Sequence, residues 1–164
     1  MEILFKIVAI GRHAQTGEPL IVLHEVSGSR QLNMYFGEEV VALIRAAAQQ
    51  VKHTSSYEFP VCHGLTVHLL KRFDVRVERV AIVPNGDDDS MSVVRFAQGN
   101  TRWTQNTSDA DGIAIAAATG CDLAIDERVC DMAARLGNSE ERDDSPDLEE
   151  ATRRVRDDDD LPKA

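Results

Sequence analysis

A chain of 164 residues with 43% hydrophobic and 28% charged side chains can fill one core and is too apolar to be disordered by composition. No apolar run is long enough to cross a bilayer, and Lys6 interrupts the short apolar start that a signal peptide would need. A cytoplasmic protein with no membrane segment is expected from these two features, and a formal net charge of -10 excludes a surface that gathers nucleic-acid phosphates over its whole area.

The acidic excess is uneven. From Ser139 to Ala164 there are eleven acids and five bases, against 17 acids and 13 bases in the rest. The expected organisation is one domain over 1–138 and an acidic, flexible segment over 139–164. Cys62, Cys121 and Cys130 are odd in number and lack paired spacing, which fits reduced thiols and gives no zinc pattern.

Glu2 to Ile10 is rich in apolar and β-branched residues and reads as a strand, with Gly11 and Gly17-Glu18-Pro19 as turn signals and Leu20 to Val26 as the return. After the Ser27-Gly28-Ser29 turn, Gln31 to Phe36 alternates as a half-buried strand does, so three antiparallel strands open the fold. Val40, Ile44, Ala47, Ala48 and Val51 recur at helical spacing behind Glu38 and Glu39, whose charges suit a helix start. Lys52 to Pro60 reads as a polar loop. A second helix follows over Gly64 to Arg72, with Leu65, Leu69 and Phe73 on one face.

Val75 to Val83, Met91 to Ala97 and a short strand around Trp103 form a meander whose first turn holds Pro84-Asn85-Gly86 and three aspartates. Those aspartates lack the alternating ligands and distal glutamate of a calcium loop and read as a solvated hairpin tip. Asp111 to Ala118 is a nearly all-apolar helix stopped by Gly120 in a left-handed cap, and Leu123 to Ile125 is a short strand. Val129, Met132, Ala133 and Leu136 mark a final helix closed by Gly137-Asn138. The sum is an α+β fold of mixed, mostly antiparallel sheets with about four helices.

Leu32 to Glu39, Phe59 to Leu65 and Asn106 to Ala116 are three blocks that resemble the bifunctional nuclease family. Leu32-Asn33-Met34-Tyr35-Phe36-Gly37-Glu38-Glu39 is similar to that family's apolar strand running into an acidic helix start. Phe59-Pro60-Val61-Cys62-His63-Gly64-Leu65 lines up on its Arg-Pro-x-Thr-His-Asp-Leu and keeps Pro, His and Leu. Asn106 to Ala116 is similar to its Asp-Ala-Arg-Pro-Ser-Asp-Ala-Ile-Ala-Leu-Ala; the apolar half matches, while Ser108, Asp109 and Ala110 replace Arg, Pro and Ser. Phe59 and Gly64 likewise stand where the family has Arg and Asp. The resemblance implies the family's fold, a homodimer, and cleavage of RNA and DNA with little sequence specificity.

Phosphodiester hydrolysis needs an activated water, a donor or cation for the charge developing at phosphorus, and a proton for the leaving oxygen. On the resemblance, His63 and Asp111 are the candidate catalytic residues, each at a helix start where free backbone N–H groups favour an anion. Glu38, Glu39 and Asp111 are candidate ligands for a divalent metal, magnesium or manganese. The same residues have structural readings: Asp111 as a helix N-cap, and His63 as a capping or partly buried histidine. Lys71, Arg72, Arg76, Arg79, Arg95 and Arg102 form either one positive face or ordinary surface charge. Trp103 and Tyr35 either stack on bases or belong to the core. The competing function is a non-catalytic oligomerising or partner-binding module whose acidic segment engages an unknown protein. Small-anion binding at the helix starts is a third reading, without a phosphate-binding glycine loop in its favour.

Overall fold

The computed structural model describes residues 1–50 and 62–139; for residues 50, 62–64 and 136–139 it describes the backbone alone. The expected loop over Lys52 to Pro60, the start of the second block, and residues 140–164 lie outside the described residues.

The elements follow in the order β1 (Glu2–Arg12), β2 (Pro19–Glu25), β3 (Gln31–Tyr35), α1 (Glu38–Gln50), α2 (Cys62–Arg72), β4 (Arg76–Pro84), β5 (Ser90–Gln98), β6 (Thr101–Thr107), α3 (Asp109–Thr119), β7 (Asp122–Asp126) and α4 (Glu127–Ser139). The strands form one sheet in the order β3-β2-β1-β7-β4-β5-β6. Each half is an antiparallel meander, as short turns between apolar runs dictate. Strand β7 joins the halves, antiparallel to β1 and parallel to β4. A parallel pairing needs a crossover, and α3 supplies it by carrying the chain from β6 over the sheet to β7.

The main core gathers one face of the strands, with Ile3, Phe5, Ile21, Leu23, Val80, Ile82, Val94, Leu123 and Ile125, against Ile44 and Ala47 of α1, Ile113 and Ala114 of α3, and Val129 of α4. Ala9, Leu20 and Val22 form a second small cluster on the other face, reached through a register shift between Ile7 and Ala9. Helix α3 ends at Gly120, whose φ of 68° is left-handed and whose N–H donates to the Ala116 carbonyl at 2.8 Å. The three aspartates of the β4–β5 turn are exposed, as a hairpin tip requires.

Three local expectations are corrected. Helix α2 starts at Cys62, two residues before the expected start; its Val67 and Leu70 pack against the core, while Leu65, Leu69 and the following Phe73 are 50%, 45% and 63% exposed. Gly137-Asn138 does not close α4, which runs to Ser139. Helix α3 starts at Asp109, two residues before the expected start.

Candidate functional site

The first turn of α3 is built from short polar side chains. Ser108 is the N-cap, with extended φ and ψ of -65° and 157°, and its Oγ accepts from the Asp111 N–H at 3.1 Å. The same hydroxyl donates to Asp111 Oδ2 at 2.8 Å, and Thr107 Oγ1 donates to that oxygen at 3.2 Å. Asp111 is therefore the third residue of the helix and not its N-cap. Its carboxylate is exposed, near the positive end of the helix dipole.

Two residues earlier, Asp109 turns toward the sheet. Ser92 Oγ donates to its Oδ1 at 3.0 Å and Ser90 Oγ to its Oδ2. Ser92 is fully buried, so its hydroxyl needs this partner. The helix lies close here: a Cβ added at Gly112 would stand 2.3 Å from Ser92 Oγ and 2.4 Å from its Cβ. Sequence reasoning missed Asp109. The available signal was the Ser90-x-Ser92 spacing, which puts two hydroxyls on one strand face where an acceptor is needed.

Strand β3 ends and β4 begins at the same end of the sheet, so α1 starts and α2 ends near it. Helix α3 also ends there, delivering the chain to β7 beside β4. The first turn of α3, with Asp111, thus lies at the other end, and α2, whose first turn carries the His63 backbone, packs against α3. The His63 side chain lies outside the described residues.

Glu38 and Glu39 begin α1 at the opposite end of the sheet. The Arg12 guanidinium at the end of β1 is ion-paired with Glu38. The start of α3 is anchored at Ser92, which pairs with Ile82, which pairs with Ile125 and so with Ile3. Nine residues of β1 separate Ile3 from Arg12, about 30 Å at the usual strand rise. Glu38 and Glu39 are not brought to Asp111, and among the described residues no three His, Cys, Asp or Glu side chains cluster as metal ligands. The Glu38, Glu39 and Asp111 set does not fit one divalent ion.

The remaining candidates divide between the faces. Trp103 is exposed on edge strand β6, with its ring stacked on Phe96 at 5.5 Å between centroids. Tyr35 is exposed beside buried His13. Lys71 and Arg72 end α2, whereas Arg76, Arg79, Arg95 and Arg102 share the sheet face away from the main core. Glu78 sits among them: partial desolvation works to raise its pKa, but hydrogen bonds and charge from Arg76 and Arg102 outweigh that and hold it below the usual value. Burial pushes the thiols of Cys121 and Cys130 up, away from the reactive thiolate.

A family model for the bifunctional nuclease domain matches residues 21–136, from β2 through most of α4. No curated protein matches the chain. Among the described residues, no helix is long and apolar enough to cross a membrane.

Proposed function

The chain belongs to the bifunctional nuclease domain family, and on that premise we propose that it hydrolyses phosphodiester bonds of RNA or DNA with little sequence specificity. In this reading His63 takes a proton from the attacking water as the new oxygen–phosphorus bond forms. It then returns the proton to the leaving oxygen as the old bond breaks. Asp111 orients the imidazole, and the positive ends of the α2 and α3 dipoles favour the phosphate. One observation supports this above the others: Asp111, matched in the third block, presents an exposed carboxylate in the first turn of α3, and α3 packs against α2, the helix that carries His63. No step is assigned to magnesium or manganese, because the expected ligands are far apart.

The test is cleavage of labelled single-stranded RNA and DNA by the purified chain, with magnesium, with manganese and with a chelator. His63→Ala should lower the rate by about 100-fold or more. Undiminished cleavage by that variant would remove His63 from the reaction.

A second reading rests on Ser108 and Asp109. Both stand where the family pattern has other residues, and both serve the fold, one capping α3 and the other binding β5. A non-catalytic module would keep these roles while losing turnover, with residues 139–164 engaging a protein partner. Binding partners that do not change when those residues are removed would count against it.

We also propose a homodimer in the cytoplasm. The dimer draws support from the family and from the exposed Leu65 and Leu69 of α2 and Phe73 just after it. Light scattering of the wild type and of Leu69→Glu tests it: a dimer that dissociates in the variant is expected, and a wild-type monomer would refute it.

A further inference from the structure

Strand β4 holds a bulge at Glu78, between the pairs Val77–Phe96 and Arg79–Arg95. In a regular strand, residues three apart point to opposite faces. The extra residue resets the alternation, so Arg76 and Arg79 share one face while Val77 and Val80 both enter the core. Arg95 lies directly across from Arg79, and Arg102 shares the Ala97 position with Arg76. Four arginines thus occupy two adjacent rows on the sheet face turned away from the main core.

This arrangement carries a cost. Like charges directly opposite on neighbouring strands repel. Arg79 is relieved by Glu2 at 2.8 Å and Asp122 at 3.7 Å, and Arg76 and Arg102 share Glu78 at 3.3 Å and 3.2 Å. Arg95 is exposed and forms no ion pair with any described residue. Arg79 and Arg95 line a depression of about 110 Å³ together with Glu2, Ala81, Val83 and Val93, all of them strand residues. In a protein of net charge -10 this is a local reversal of sign.

We infer that this face binds the phosphate backbone of single-stranded nucleic acid, with Arg95 and Arg79 as the central contacts and Arg76 and Arg102 extending the track. Guanidinium groups suit phosphate oxygens because their N–H donors pair with two oxygens at once. The surface lies on the face of the sheet opposite α3 and toward the end where β4 begins, so it is separate from the first turn of α3. No aromatic ring belongs to these rows, so binding is read from phosphates and is indifferent to base. The inference takes its choice of ligand from the nuclease reading and nothing else.

The test is fluorescence anisotropy of a labelled single-stranded 20-mer RNA with the full chain in EDTA, over a series of salt concentrations. Arg95→Gln, the Arg79→Gln/Arg95→Gln pair and an Arg45→Gln control on α1 are compared, with folding checked by circular dichroism. The expected result is about tenfold weaker binding for the double variant, with the logarithmic salt slope reduced by about 0.7 for each arginine removed, and no change for the control. Arg95→Gln alone, which breaks no ion pair, should show part of the loss. Equal binding by wild type and both variants would overturn the proposal. So would displacement by polyglutamate as effective as by unlabelled RNA of equal charge, which would mark an acidic-peptide site. Because EDTA separates binding from turnover, a chain that binds as described yet never cleaves would refute the nuclease reading alone.

Discussion

Gly112 of α3 rests directly on Ser92 of β5, so close that any side chain at 112 would occupy the space of the serine hydroxyl. The contact sets how near the crossover helix approaches the sheet, and Asp109, one turn earlier, binds the same serine at 3.0 Å.

Gly112→Ala is expected to destabilise the fold despite alanine's better helix propensity. The new methyl must displace Ser92 or lift α3, an overpacking cost of about 1–3 kcal/mol. Urea unfolding monitored at Trp103 checks this through a lower midpoint at unchanged slope.

Asp109→Ala and Asp111→Ala should separate structure from activity. The first leaves the buried Ser92 hydroxyl without its acceptor and should cost about 1–3 kcal/mol. The second removes an exposed carboxylate and should cost about 1 kcal/mol or less, while abolishing cleavage if the proposed mechanism holds. Unfolding midpoints and nuclease rates on the same samples distinguish them.

Glu78 gives a pH dependence of defined sign. Its folded-state pKa lies below the usual glutamate value, so its contribution to stability is complete above that value and is lost as pH falls through the lowered one. Glu78→Gln should therefore be less stable than wild type at neutral pH, and the difference should shrink on acidification below about pH 4. Thermal unfolding across pH 3 to 7 measures it; a gap that widened in acid would contradict the assignment.

Cys121 and Cys130 should alkylate slowly with iodoacetamide at neutral pH, since both thiols are pushed above their ordinary value, first by burial. Peptide mapping after timed labelling reads each site separately. Rapid modification at either would show a more open environment.

Much of the fold was legible because its signals are local. The alternation of Gln31 to Tyr35 shows a half-buried strand, and Gly120 ends its helix where a left-handed residue was expected. Helix α2 shows the limit: Leu65, Leu69 and Phe73 form one apolar stripe and Val67 and Leu70 another, and periodicity cannot say which one meets the core. At the candidate site, helix-start chemistry near Asp111 was readable. Asp109 was not, because its meaning lies in a strand 17 residues upstream. The bulge at Glu78 was equally hidden, since it alters which way arginines point without altering the apolar pattern that marks the strand.

Strand β7 lies fourth of seven in space yet last in sequence. During synthesis the two meanders must wait, each with an unpaired inner flank on β1 or β4, until residues 122–126 leave the ribosome and zip them into one sheet. A nascent chain halted just before Asp122 would expose two adhesive borders at once, so the moment of greatest aggregation risk falls late in translation.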